Sequence, residues 1–529
     1  MRAPTVARPV VRRRGSPTLI GLGVLVAWAA WRATTSRDVL NTRGWSSFTE
    51  FWTAVLDPDL NVDFLRLTGE AMLTTASYAV LGAVASVAVG LVGAPLLADR
   101  PWEAATGSRA LSACRTAARW VVRALFVVPR AVHEIIWALL LVQVLGFDPL
   151  VAVLAIAFQF GAITAKVYAD LLDDADPAAF RSLRAGGAGR FTALVYGLVP
   201  IVRRDLIGYG FYRLECAVRS AAVLGIVGLG GLGNQLDLSF ESLRYDEIWT
   251  LIAALMILSG LADRWSTAVR HSGSDVAVRS SWIALLVLVP VSWWYVGIDV
   301  SALWSERTRR LFGDLVDDML PPRLGPGGWS ELIEATVDTL AMSVLATVIA
   351  VTGGLLVATI AARPHRPDDG VVRRSAGWVA RLVLLLFRAV PAPVWAFLVV
   401  LVMFPGIWPG AVALGVYNTG VLGRLFAEVF DDHDDRARRQ LDTAGAGPVE
   451  QFTYGVLPVC APRLVSLVVY RWEVITRETV VVGVVGAAGL GRLMQEHLVA
   501  RDFAAVTGTI GALIVLAVAI DAIGRRLRP

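Results

Sequence analysis

The chain has 529 residues, 56% of them hydrophobic, with a mean hydropathy of +0.61 and a formal net charge of +5. That apolar share exceeds soluble-domain usage, and its arginines fall in short runs between long apolar ones, which excludes an ordinary soluble protein and a basic nucleic-acid-binding face. Cys114, Cys216 and Cys460 form no C-x-x-C pair and the five histidines are dispersed, so neither a disulfide framework nor a metal site is indicated.

Crossing a ~30 Å hydrocarbon core takes about 20 mostly apolar residues. Twelve such segments lie near 17–33, 70–98, 119–145, 150–172, 203–226, 247–265, 281–298, 334–362, 379–404, 409–430, 463–486 and 503–523. An all-α integral membrane protein is expected. The basic leader Arg12-Arg13-Arg14 before 17–33 resembles a signal peptide, but Arg32 follows directly and no small-x-small cleavage site is evident. The 281–298 segment, which opens the second half in the same way, cannot be a signal, so an uncleaved anchor is the reading.

Counting crossings from a basic cytoplasmic N-terminus places loops 99–118, 173–202, 264–280, 363–378 and 431–462 in the cytoplasm. These hold the arginine runs, among them Arg363, Arg366, Arg373 and Arg374, and the C-terminal Arg525-Arg526-Leu527-Arg528 falls on the same side. Both termini are therefore expected inside a multi-pass protein of the inner or plasma membrane. Two polar stretches, 34–69 and 299–333, follow the first span of each half. Leu303, Leu311, Leu315 and Met319 in the second suit an amphipathic helix at the outer surface; a small ordered loop is the alternative.

The chain repeats itself. Tyr212-Arg213-Leu214-Glu215, Arg219, Gly225, Gly228, Gly231 and Gly233 return as Tyr470-Arg471-Trp472-Glu473, Arg477, Gly483, Gly486, Gly489 and Gly491. From Glu215 to Glu473 and from Gly233 to Gly491 the step is the same 258 residues. A period of about half the chain points to two tandem copies of one domain related by a pseudo-two-fold axis, with the pathway between them. The division expected is a basic cytoplasmic N-terminus over 1–16, a first domain over 17–265, a cytoplasmic linker over 266–280 and a second domain over 281–529.

Charges inside the spans are repeated too. Glu215 and Arg219 are i,i+4 neighbours, as are Glu473 and Arg477, with Arg213 and Arg471 one turn and a half before the arginines. An ionisable group at that depth is costly and must face protein or water. Either Arg219 and Arg477 face each other across the axis and neutralise an anionic substrate, or each pairs with its own glutamate to hold helices together. Lys166–Asp170 and Arg424–Glu428, at the ends of their spans, are expected to snorkel toward the headgroups. Gly228, Gly231 and Gly233, with Gly486, Gly489 and Gly491, form either a periplasmic gate or a tight helix contact.

The loops at 173–200 and 431–458 each carry a glycine thirteen residues before a proline, Gly187 to Pro200 and Gly445 to Pro458. Glycine lets a helix end sharply and proline starts the next one, giving a compact knob. This spacing resembles the coupling loop of ATP-binding-cassette importer permeases, and the wider pattern is similar to the phosphonate-type permeases. Its elements are Arg130-Ala131-Val132 with Trp137-Ala138 and Arg388-Ala389-Val390 with Trp395-Ala396; Lys166 with Ala169-Asp170 and Arg424 with Ala427-Glu428; and Tyr-Arg-x-Glu-x3-Arg before the glycine run. The family's acidic residue six before the loop glycine is Arg181 in one half and Arg439 in the other, and Pro391 has His133 as its counterpart.

The resemblance implies two tandem type I importer permease (MetI-like) domains. Two copies of an ATPase subunit, holding ATP and Mg, would dock at the two loops, an extracytoplasmic binding protein would deliver substrate, and the lipid bilayer would surround the chain. The cargo implied is phosphonate or a related phosphorus oxyanion, with inorganic phosphate or phosphite as the alternative. No G-x-x-x-x-G-K-[ST], H-E-x-x-H or G-x-S-x-G occurs, so no catalytic residue, cofactor or metal is assigned to this chain, and no nucleic-acid partner. The rival of another class is an ion-gradient transporter, which also uses repeats and intramembrane charges but needs no cytosolic partner.

Overall fold

The computed structural model describes residues 15–35, 39–102, 109–271, 275–362 and 370–527. Most of the expected N-terminal leader (1–14), residues 272–274 of the expected linker, Arg363, Arg366 and Arg528 lie outside the described residues. Within them the first half runs α1 (Gly15–Thr34), α2 (Trp45–Thr53), α3 (Val62–Leu97), α4 (Arg109–Ala131), α5 (Glu134–Leu145), α6 (Pro149–Asp174), α7 (Ala178–Ala185), α8 (Arg190–Gly197), α9 (Val199–Leu224), α10 (Gly231–Glu241) and α11 (Tyr245–His271). The second half follows in the same order: α12 (Asp275–Val296), α13 (Glu306–Met319), α14 (Gly328–Ala361), α15 (Val371–Ala389), α16 (Ala392–Val402), α17 (Ile407–Asp431), α18 (Arg436–Thr443), α19 (Pro448–Glu450), α20 (Leu457–Val484), α21 (Leu490–Val499) and α22 (Phe503–Leu527).

Each of the twelve expected spans is helical. Seven helices among the described residues are long and apolar enough to cross a membrane singly, and three bent pairs bring the number to ten. The remaining two, α1 and α17, fall short because of what they carry. Arg32 ends α1, while Asn418, Arg424 and Glu428 lie on α17, which is buried along most of its length. Their polar groups face protein, so low apolarity is compatible with depth.

Two spans expected as single crossings, 119–145 and 379–404, are elbows: α4–α5 and α15–α16 each bend by 93°. In the second half the cause is Pro391, which lacks an N–H and forces Val390 into extended backbone (φ −74°, ψ 123°). In the first half His133 does the same work by capping, its Nδ1 accepting from Ile135 N at 3.4 Å.

The halves interleave. Helix α1 packs on α14 of the second half, where Arg32 bonds Glu334 at 2.9 Å and Asp338 at 2.8 Å, and α12 packs reciprocally on α3 of the first. Each half is otherwise built on one close pair, α3 with α6 and α14 with α17. Small residues permit that approach: a Cβ on Gly354 would lie 3.1 Å from Gly423 N. The polar stretch 299–333 is helical over α13, capped by Ser305 Oγ accepting from Thr308 N at 3.1 Å, and packs on α5 and α22.

Candidate functional site

The two Tyr-Arg-x-Glu-x3-Arg segments, on α9 and α20, meet at one cavity of about 120 Å³ between the halves. Arg213 and Arg219 line it from α9, Arg471 and Arg477 from α20. The elbows contribute His133 and Glu134 on one side and Pro391 to Pro393 on the other, and Tyr212, Tyr417 and Tyr470 complete the polar wall. Four guanidiniums thus face two lining carboxylates, Glu134 and Glu478, leaving the wall cationic. Anions are favoured where such charge is held away from water.

The repeated residues do not have repeated partners. Arg477 Nη2 pairs with Glu473 at 3.2 Å and its Nη1 donates to Arg130 O, on the other half, at 2.8 Å. Arg471 pairs with Glu478 at 2.9 Å and donates to Asn418 Oδ1. Arg213 instead donates to Tyr209 Oη at 3.0 Å and lies over the rings of Phe160 and Tyr209 at 5.1 and 4.8 Å. Of the two alternatives, pairing with the helix's own glutamate describes Arg477, 3.2 Å from Glu473, better than Arg219, which stands 3.6 Å from Glu215.

Glu215 is claimed from elsewhere. Its Oε1 receives Arg388 Nη1 and Arg424 Nη1, each at 3.0 Å, and both arginines also pair with Asp263, Arg388 at 2.9 Å. Two carboxylates of the first half thus hold two guanidiniums of the second. The snorkelling expected for Arg424 is overturned: its side chain turns into the bundle because buried Glu215 and half-buried Asp263 stabilise it there more than headgroup water would. Lys166, its counterpart, keeps its pair with Asp170 alone among the described ion pairs. Sequence reasoning missed Asp263, Asn418 and Glu478, and quoted Arg388 only as part of a pattern. The repeat itself held the signal, since Asp263 and Arg388 recur as Asp521 and Arg130.

The glycine runs make helix breaks and close contacts. Gly228 and Gly231 adopt φ of 91° and 77°, Gly486 and Gly489 of 104° and 97°, so each helix breaks before α10 or α21, with a bend of 55° in the first half. Gly233 and Gly491 are the packing glycines: a Cβ there would sit 1.8 Å from Ala222 O and 2.6 Å from Val480 O. We expect Gly233→Ala to lower the amount of folded protein in membranes severalfold, because backbone blocks the methyl group; Gly21→Ala, where a Cβ meets nothing within 4 Å, is the control. Quantitative blotting of membranes checks this, and full recovery of Gly233→Ala would leave the gate as the better account.

Both loops form helix–turn–helix knobs. α7 ends at Gly187 (φ 87°) before α8, and α18 ends at Gly445 (φ 83°) before α19 and the wider turns of Gln451–Val456. Pro200 and Pro458 sit in the first turn of α9 and α20. Arg181 and Arg439 are exposed. In the second loop Arg438 bonds Asp435 at 2.9 and 3.0 Å and holds that carboxyl below the usual carboxylate range.

The model of the binding-protein-dependent transport system inner membrane component family matches this chain twice, over residues 110–269 and 354–529. The chain belongs to that family. As a member it is a membrane-embedded transport component, built as a tandem duplication, and the family is not a catalytic one. The phosphate-import permease protein PhnE of Mycolicibacterium smegmatis is 27% identical over 89% of this chain and 86% of its own length. The phosphite transport system permease protein PtxC of Stutzerimonas stutzeri is 31% identical over 46% of this chain and 85% of its own. Among solved structures, the inward-facing MetNI methionine ABC transporter aligns with a TM-score of 0.35 and 19% identity, over 38% of this chain and 97% of that chain.

Proposed function

We propose that this family member supplies both halves of the membrane pathway of an ATP-driven importer whose cargo is a phosphorus oxyanion. The observation that carries the reading is the cavity where four arginines from the two repeats converge. A phosphonate group fits that chemistry, since guanidinium forks match phosphoryl oxygens in geometry and charge. Relatives named for phosphate import and phosphite transport support the oxyanion class and favour inorganic phosphate or phosphite as the second reading.

Two ATPase subunits, which hold ATP and Mg, dock on the knobs at 173–200 and 431–458 from the cytoplasm, where both termini also lie. A separate binding protein delivers cargo at the opposite face, near the glycine turns and the polar stretches 34–69 and 299–333. Closure of the ATPases rocks the halves between inward- and outward-open states. The exposed arginines and left-handed glycines of the knobs support docking, because they present a stiff, accessible surface. The domain limits 17–265 and 281–529 remain the proposed halves, with the first helix of each lying on its neighbour.

Uptake of labelled phosphate by a strain lacking this gene, with and without competing phosphonate, tests the reading. Phosphonate uptake lost with phosphate uptake unchanged supports phosphonate as cargo. Loss of phosphate uptake assigns the chain to phosphate scavenging. Phosphate, phosphonate and phosphite uptake all unchanged would remove the phosphorus reading.

A further inference from the structure

We propose that the cavity holds its oxyanion on one side of the pseudo-two-fold axis only, against Arg213 and Arg219; this deepens the importer reading and rests on it. The argument is a comparison of the two arginine sites position by position. Ser220 and Glu478 occupy equivalent places in the repeat, as do Phe160 and Asn418, and Glu134 and Ala392.

In the second half those residues satisfy Arg471. Glu478 pairs with it at 2.9 Å, Asn418 accepts from its Nε, and Asn418 Nδ2 donates to Glu478 at 2.9 Å. The guanidinium has its counter-ion built in. In the first half the same surroundings are aromatic or uncharged apart from Glu134. Arg213 is 4% exposed, its guanidinium lies over the rings of Phe160, Tyr209 and Tyr212, and no carboxylate among the described residues reaches ion-pair distance. Ser220 cannot supply the charge, and Glu134, the carboxylate that lines this side, is turned to Ser220 Oγ at 2.6 Å and His133 Nδ1 at 3.2 Å instead of to Arg213.

The second arginine follows suit. Arg477 keeps Glu473 at 3.2 Å, whereas Arg219 has a looser 3.6 Å contact with a Glu215 already bonded to Arg388 and Arg424. Arg213 and Arg219 are therefore two desolvated cations short of counter-charge, facing one cavity and six residues apart on one helix. Ring faces exclude water and lend weak cation–π support, but they do not neutralise a guanidinium. A tetrahedral oxyanion does so with charge-assisted hydrogen bonds to both forks. The second half's arginines, each already paired with a carboxylate, form a wall that repels a cation and competes less for the anion.

The test uses the full-length chain solubilised in detergent. Its thermal unfolding midpoint is followed against inorganic phosphate and, separately, methylphosphonate, with chloride holding ionic strength constant. A ligand that binds only the folded state raises the midpoint in a saturable way. Wild type is expected to show that rise with an oxyanion and none with chloride. The double variant Glu134→Ala/Ser220→Glu, which places a carboxylate beside Arg213 where the second half has Glu478 and keeps Phe160, is expected to need at least tenfold more oxyanion for half its effect. Arg213→Gln is expected to abolish the rise and provides the answer if the double variant fails to fold. Glu478→Gln, which strips the counter-ion from Arg471 and removes a negative charge from the wall, is expected to lower the oxyanion needed for half its effect.

No rise in wild type, a rise unaffected in the two first-half variants, or an equal loss in Glu478→Gln each overturns the one-sided site. Because the shift is read on the isolated chain, its failure leaves the uptake experiment standing, and unchanged uptake in the deletion strain leaves the shift standing.

Discussion

Glu215→Gln is expected to loosen the contact between the two halves by about 3–5 kcal/mol, the range for removing one partner from a buried ion group. Its side chain is 5% exposed, and its Oε1 is the meeting point of Arg388 and Arg424 from the second half. With glutamine there, Arg388 depends on Asp263 alone, and Arg424 on Asp263 and on Glu428 of its own helix. The counterpart, Glu473→Gln, is expected to cost less than half as much, because Arg477 retains its bond to Arg130 O. Unfolding of the detergent-solubilised chain, read for both variants under one condition, checks the contrast. Equal losses would refute a one-sided ion cluster. Glu215→Gln combined with Arg424→Gln should recover much of the deficit, since the uncompensated charge goes with its partner. A double variant no better than the single would mean that shape, not charge, sets the cost.

That cluster marks where sequence reasoning stops. The i,i+4 rule finds Arg219 beside Glu215, since both lie on one helix. It is blind to Arg388 and Arg424, which are 173 and 209 residues distant and reach Glu215 only when the halves interleave. The same blindness produced the snorkelling expectation for Arg424: position along a span is readable, whereas the face presented to neighbours is set by packing. Spans were readable because burial in hydrocarbon demands a continuous apolar run. Elbows within them were not, because an apolar run averages over a bend. Pro391 could have signalled one; His133 gives no such signal until its ring is seen capping α5. The glycines announced unusual backbone at Gly228 and Gly486, but only geometry separates these turn formers from Gly233 and Gly491, which are small because backbone lies against them.

Gly445→Leu is expected to cut uptake at least tenfold while ATP hydrolysis and the amount of protein in the membrane stay near wild type. Gly445 has φ of 83°, where an L-residue pays roughly 1–2 kcal/mol, a strain that a chain of this size absorbs without unfolding. A Cβ there meets nothing within 4 Å, so the new side chain starts into open space from an exposed position at the tip of the knob. The damage must then fall on whatever docks at that tip. Gly187→Leu, at φ 87° and equally open, should behave alike, because the proposed rocking would need both knobs engaged together. Gly455→Leu separates docking from folding. Its Cβ would lie 3.0 Å from Arg438 Cα, where the turns after α19 cross α18, so this variant should spread the knob apart and lower the protein level itself. Uptake, ATPase rate and membrane abundance measured on the three variants together give the answer. Wild-type uptake in Gly445→Leu at normal abundance would remove the knob from the transport cycle and, with it, the reason for expecting an ATPase there.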